Sequence, residues 1–274
     1  MRFKIYREHG ALNSKPVFDA LEQGLTSQGH TIVDSDEDVS VIWSVLWSGR
    51  MRQNKLIYDR CQQLGKVILI VEVGNLKRGE TWRISLDHIN NLGKFANEHN
   101  LDISRPEKLG VKLQPISVHR RGEILIACQH QESLQWQGMP AMKDWVADTI
   151  EKIKQYTHRR IRVRYHPRSS FPFKQSGVEV ERPARIPNTY DDFDIFYNYH
   201  CVINHNSGPA VQAAINGVPV LCDSSSLAAD MSIKWSELDN PYVPEREEWF
   251  LKLCHTEWTV EEIRQGLPIS RLFG

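Results

Sequence analysis

The sequence has no net charge, no long apolar run and no cysteine spacing suited to a metal or a disulfide framework. Thirty-four Lys and Arg residues balance 34 Asp and Glu residues, for a formal net charge of +0. That balance excludes a wholesale basic coat for nucleic acid, so any DNA contact must come from a local patch. The five cysteines, Cys61, Cys128, Cys201, Cys222 and Cys254, are scattered and odd in number. This argues against disulfide pairing and for a reducing compartment. No stretch approaches the ~20 apolar residues of a membrane span. The opening MRFKIYREHG reads as a strand without the apolar core of a signal peptide. The expectation is a soluble, cytoplasmic protein with no membrane partner. With 41% hydrophobic and 25% charged residues, the chain is neither disordered nor collagen-like. Its 274 residues suggest nearly two domains.

Short apolar runs alternate with helical periodicity. Phe3 to Tyr6 reads as a strand, and a helix follows from about Pro16 to Ser27, where Val17, Leu21 and Leu25 recur every four residues. Thr31 to Val33 and Val39 to Trp47 read as strands. A helix from about Asn54 to Leu64 stops at Gly65, before the near-continuous apolar run Lys66 to Val71. Residues 74–118 read as a loop-rich stretch. The pattern then restarts with a strand at Glu123 to Cys128 and a helix at Lys143 to Tyr156. Strands at Ile161 to Tyr165 and Cys201 to Asn204 follow, then a helix at Pro209 to Asn216 and a strand at Val218 to Cys222. Strand and helix in alternation predict an α/β protein of two Rossmann-like lobes, residues 1–118 and 119–274, the second carrying the C-terminal helices.

Three segments are suited to phosphate chemistry. Asn206-Ser207-Gly208 runs from a strand into a helix with Pro209 in its first turn. A hydroxyl and backbone N–H groups there would meet an anion at the positive end of the helix dipole. The same residues equally suit a plain helix cap and tight turn. His166-Pro167-Arg168 follows a strand that also carries Arg164, and Gln129-His130 follows another, on the edge where α/β sheets place their ligands.

The His166 to Arg168 element and the Asn206 to Val220 element (NSGPAVQAAINGVPV) resemble the donor half of the GT-B glycosyltransferases. The resemblance implies two lobes facing across a cleft, with the second lobe binding a nucleotide-sugar. It implies a diphosphate near Ser207 and Gly208, with Gln129, His130, Arg164, His166, Arg168 and Asn206 framing the donor. Gln212 stands where many family members carry a Glu for the ribose. In size and organisation the chain also resembles bacteriophage glycosyltransferases that decorate hydroxymethylated pyrimidines in DNA, which would place it in a host cytoplasm. The corresponding expectation is a metal-independent, inverting transfer from a UDP-sugar to a 5-hydroxymethyl base, with no cofactor beyond the donor.

An inverting transfer needs a base in the first lobe. Glu72, His9 and Glu8 are the candidates at strand ends, with Asp87 and His88 from the irregular stretch. Trp47, Arg50, Arg52, Arg78 and Trp82 are candidates for an acceptor wall, since arginine with interleaved aromatics suits phosphate contact and base stacking. Two Asp-x-Asp pairs, Asp34/Asp36 and Asp192/Asp194, have the shape of a metal motif but read as an acidic turn and a helix start, so no metal is expected. An alternative is a transferase of the same fold acting on a surface polysaccharide with a CMP- or UDP-sugar. Gln114-Pro115 and His166-Pro167 resemble the QP and HP pairs of capsule-initiating enzymes. A non-catalytic nucleotide-binding module and a nucleotide-sugar epimerase also fit the architecture.

Overall fold

A computed structural model describes residues 1–119, 122–183 and 198–274. Two compact units divide the chain. The first gathers Met1–Leu109, Glu132–Leu134 and Leu251–Gly274; the second comprises Gly110–Gln131 and Gln135–Phe250. Each is a Rossmann-like α/β lobe with its own sheet. Among the described residues no helix is long and apolar enough to cross a membrane.

The first unit opens with β1 (Arg2–Ile5), α1 (Lys15–Ser27), β2 (Thr31–Ile32), β3 (Val39–Trp43), α2 (Asn54–Leu64), β4 (Val67–Val73), β5 (Thr81–Leu86) and α3 (Arg105–Leu109). In β3, Val39, Val41 and Trp43 pack on the α1 side, against Val17, Phe18, Leu21 and Leu25. Ile42 faces the opposite layer with Ile68, Ile70, Tyr58 and Cys61. Burial on both faces explains the uninterrupted apolar run of β4. The strand expected to reach Trp47 stops at Trp43, because Ser44 takes a left-handed φ of 65°.

The second unit contains β6 (Glu123–Ala127), α4 (Met142–Lys154), β7 (Ile161–Arg164), β8 (Val178–Glu181), β9 (Tyr199–Ile203), α5 (Gly208–Ile215) and β10 (Val220–Leu221). Its strands run in the order β8-β7-β6-β9-β10, all parallel. In chain order this is 3-2-1-4-5, the first five strands of the doubly wound Rossmann order. Met142, Val146, Ile150 and Ile153 of α4 close one face of the sheet over Ile124, Ile126, Ile161 and Val163.

The chain ends with α6 (Glu247–Cys254), β11 (Glu257–Thr259), α7 (Val260–Arg264) and α8 (Leu267–Phe273). Residues 251–274, placed with the second lobe on sequence, pack in the first unit. There β11 pairs antiparallel with β5 and completes the sheet order β11-β5-β4-β3-β1-β2. Arg105 of α3 anchors the segment. Its Nε donates to Cys254 O at 2.5 Å, its Nη1 meets Glu262 Oε1 at 2.7 Å, and its guanidinium stacks 4.2 Å from the Trp258 ring centroid.

Gly217 ends α5 at a φ of 73°, and a Cβ there would lie 2.3 Å from Pro115 O. Gly217→Ala is therefore expected to cost about 1–3 kcal/mol from the left-handed backbone alone, with the collision adding to it. The urea midpoint of unfolding measures this, and an unchanged midpoint would show that residue 217 is not held at a left-handed φ.

Candidate functional site

In the second unit the strand order reverses between β6 and β9, and open α/β sheets bind ligands outside the carboxyl ends of such a strand pair. The two loops that leave those strands are locked together. Gln129 Oε1 accepts from Asn206 N at 3.2 Å, and Gln129 Nε2 donates to Asn206 Oδ1 at 3.1 Å. Both residues are buried, so each amide is held in one orientation. Gln135 Nε2 donates to Asn206 O at 2.8 Å, and Asn206 Nδ2 donates to Ser225 Oγ at 2.8 Å. Ser225 in turn donates to Asp223 Oδ1 at 2.6 Å.

Asn204, at the end of β9, ties this lock to α5. Its Nδ2 donates to Ala127 O at 2.7 Å and to Ser207 Oγ at 3.0 Å, while its Oδ1 accepts from Ser207 N at 2.8 Å. Ser207 is the N-cap residue of α5, yet its side chain does not cap the helix. The hydroxyl is turned to Asn204, and the first turn of α5 carries no side-chain cap that would compete with an anion. Gln212 lies one turn along the same helix from Gly208.

His166 and His130 follow the neighbouring strands β7 and β6, and their rings meet edge to face with centroids 5.2 Å apart. His166 Nδ1 accepts from Arg168 N at 3.1 Å, and Arg168 is exposed at the same edge. His205 packs edge to face on Trp136 at 5.3 Å, and burial lowers its imidazole pKa, with Asp223 opposing. The structure thus brings Gln129, His130, His166, Arg168, Asn206, Ser207 and Gly208 to one sheet edge.

Arg164 is placed differently. It is 8% exposed, with Nε 3.3 Å from Glu181 Oε2 and its guanidinium 5.8 Å from the Tyr199 ring centroid. Arg162 bridges Glu123 at 2.8 Å and Glu179 at 2.5 Å. Arg162 and Arg164 are therefore the central rung of a charge ladder across β6, β7 and β8.

Gln114-Pro115 also lies away from this edge. Gln114 N donates to Ile215 O at 2.9 Å, and Arg246 Nη2 donates to Gln114 O at 2.7 Å, at the C-terminal end of α5. The 8-residue helix is about 12 Å long, so the QP and HP pairs do not converge.

In the first unit a pocket of about 590 Å³ opens at the carboxyl end of β1, where the sheet order reverses between β1 and β3. Glu8 and Arg50 line it, with Arg7, Gly10, Ser14 and Lys15. His9 stands beside Glu8, Nε2 to Oε1 3.7 Å. Arg52 is exposed on the same single turn, Gly49–Gln53, as Arg50.

Glu72, near the end of β4, accepts from Ser44 Oγ at 2.6 Å and from Val73 N at 2.9 Å, and opposes the buried Arg83 of β5 in register. Asp87 is a turn residue, with a φ of 66° and Oδ1 accepting from Ile68 N at 3.2 Å. His88 is half-buried against Tyr58, and burial lowers its pKa. Trp47 and Trp82 are core residues, 9% and 6% exposed: Trp47 packs on Tyr58 at 5.7 Å, and Trp82 lies in register with Trp258. Arg78 lies in the β4–β5 connection, bridged to Thr81.

Sequence reasoning missed Asn204, Gln135 and Ser225. The available signal was a polar residue ending an apolar strand, HCVIN, directly before the Asn-Ser-Gly turn. Among the described residues no group of three or more His, Cys, Asp or Glu is placed to hold a metal ion; Asp192 and Asp194 lie outside the described residues, as do Arg120 and Arg121.

No protein-family model matches the chain, and no curated protein matches it. Solved structures do. The β-Kdo 2,7 transferase of Thermosulfurimonas dismutans KpsC superposes with a TM-score of 0.52 at 10% identity, over 98% of this chain and 99% of that one. The β-Kdo 2,4 transferase of the same KpsC gives a TM-score of 0.50 at 10% identity, over 92% and 89%. The likeness is one of fold. It spans both units of this chain, and at 10% identity it assigns no residue a role.

Proposed function

We propose that this chain is a nucleotide-sugar-dependent glycosyltransferase that extends a saccharide, the alternative raised by the sequence, in preference to one that modifies DNA bases. The carrying observation is the open N-terminus of α5 at the strand-order reversal, in a chain that shares its fold along nearly its whole length with two Kdo transferases. In this reading the donor phosphate sits on Ser207 and Gly208, and the Gln129–Asn206 lock fixes the loops around the nucleotide. His130, His166 and Arg168 face the donor, and His205 supports the Trp136 side of the loop. The pocket at the end of β1 takes the acceptor, with Glu8 as the base that removes the hydroxyl proton. Glu72, held by Ser44, Val73 and Arg83, is better placed to support the sheet edge than to accept that proton.

The DNA reading has less support. Its aromatic wall would need Trp47 and Trp82, which are buried, and the arginines of β7, Arg162 and Arg164, are paired with Glu123, Glu179 and Glu181.

The test has two arms. CMP or UDP is expected to raise the unfolding temperature, because a nucleotide at 100 times its Kd stabilises by about 2.7 kcal/mol. Labelled sugar is expected to pass from a CMP- or UDP-sugar to an oligosaccharide and not to hydroxymethylcytosine-containing DNA. Transfer to DNA alone would restore the other acceptor, and no response to either nucleotide would remove the donor site.

A further inference from the structure

At the C-terminal end of α4 the second unit carries an aromatic surface that the fold leaves uncovered. Tyr156, just beyond the helix, is 41% exposed, and its ring lies 6.2 Å from that of Trp235 at an interplanar angle of 34°. Lys152 holds Trp235 from above, with Nζ 4.3 Å from the ring centroid. Tyr156 also lines a groove of about 450 Å³, with Lys154, Gln155, Thr157, Arg159 and Asp239.

The floor of this groove is fixed. Thr157 is buried, and its Oγ1 donates to Asp239 Oδ1 at 2.7 Å. The buried His200 has Nε2 3.0 Å from the carbonyl oxygen of Leu238, the residue before Asp239. Asp239 is thereby held, while its Oδ2 accepts no hydrogen bond from a described residue. The Gln155 amide is exposed and makes no side-chain bond among the described residues.

The charges along the groove are matched. Lys154 is paired with Glu151 at 2.8 Å, and Arg159 faces Asp239 at 3.6 Å. Such a groove offers an anion little net attraction, and single-stranded nucleic acid needs a positive track beside its stacking rings. A neutral sugar fits both features. One face of a pyranose presents polarised C–H bonds to an aromatic ring, and the hydroxyls at its edge reach planar amide and carboxylate groups.

We propose that this groove binds a neutral saccharide, stacked on Tyr156 and hydrogen-bonded by Gln155 and Asp239. Residues 157–160 lead into β7, whereas His166 follows it, so about 13 Å of strand separates the groove from the donor edge. That the bound saccharide is the chain being extended rests on the proposed function; the binding itself does not.

The experiment is an amide-resolved NMR titration of the full chain with maltotriose, cellotriose, glucuronate and oligothymidylate. Maltotriose, cellotriose or both are expected to move the amides of residues 155–158 and the Trp235 indole N–H, leaving Gly208 in place. Tyr156→Ala should weaken binding roughly tenfold, the loss of one stacking ring, with an unchanged unfolding midpoint because the ring is exposed. Tyr156→Phe should bind like the parent, since the ring face and not the hydroxyl makes the contact. Gln155→Ala, at an exposed side chain, should weaken binding several-fold. No shift with either trisaccharide, tighter binding of glucuronate or oligothymidylate, or parent affinity in Tyr156→Ala would each overturn the proposal. Binding is read without donor or turnover, so this failure is distinct from a failure of sugar transfer.

Discussion

Glu257→Ala is expected to destabilise the first unit by about 3–5 kcal/mol, the cost of removing one member of a buried charged network. Glu257 is fully buried on β11 and works as a clamp on the β4–β5 connection. Its Oε1 accepts from Asn75 N at 2.5 Å, and its Oε2 accepts from Leu76 N at 3.0 Å and from Thr81 Oγ1 at 2.7 Å. In register it opposes Arg83, which opposes Glu72 on the other side. Burial raises the Glu257 carboxyl pKa while Arg83 and the three donors oppose the rise, and burial lowers Arg83. Alanine would leave three donors without their acceptor and Arg83 with one balancing carboxylate where it had two. Glu257→Gln keeps the shape but turns an N–H toward one set of donors, so a smaller loss, about 1–3 kcal/mol, is expected. Denaturant unfolding followed by tryptophan fluorescence measures both. An alanine variant within about 1 kcal/mol of the parent would mean that the clamp does not hold the connection.

The same clamp shows where the sequence stops being legible. The helix Asn54–Leu64, its stop at Gly65 and the strand that follows are local events, visible as periodicity and a left-handed cap, and they fold as read. The pairing of β5 with β11 joins Arg83 to Glu257, and nothing local to either segment announces it. In Thr81–Leu86 every side chain is buried, including Arg83, so the charge hid the strand. Trp47 misled for the opposite reason: the basic residues around it suggested a surface, but Arg50 and Arg52 sit on an outward turn while the indole turns in against Tyr58. At the second unit's sheet edge the polar segments were legible because each follows an apolar run. What was not legible was Asn204, whose importance lies in joining two residues, Ala127 at the end of β6 and Ser207 at the start of α5.

Asn204 also gives the prediction that bears most directly on the donor site. Asn204→Ala would strip Ala127 O of its side-chain donor and Ser207 N of its acceptor, at about 1–3 kcal/mol for each buried group left unmatched. The expected result is a loss of about 2–4 kcal/mol, with nucleotide affinity falling because the start of α5 is no longer fixed. Asn204→Asp separates the two effects. A carboxylate still accepts from Ser207 N and favours the helix N-terminus by about 0.3–1 kcal/mol, which offsets part of the cost of facing Ala127 O. It also places a negative charge beside Ser207, where the donor phosphate is proposed to sit. Stability should therefore recover toward the parent while nucleotide binding weakens at least roughly tenfold, the effect of about 1.4 kcal/mol of repulsion. Thermal unfolding with and without CMP or UDP reads both quantities on one sample. An Asp variant that binds the nucleotide as tightly as the parent would place the phosphate away from α5, and the donor would have to be sought elsewhere on that sheet edge.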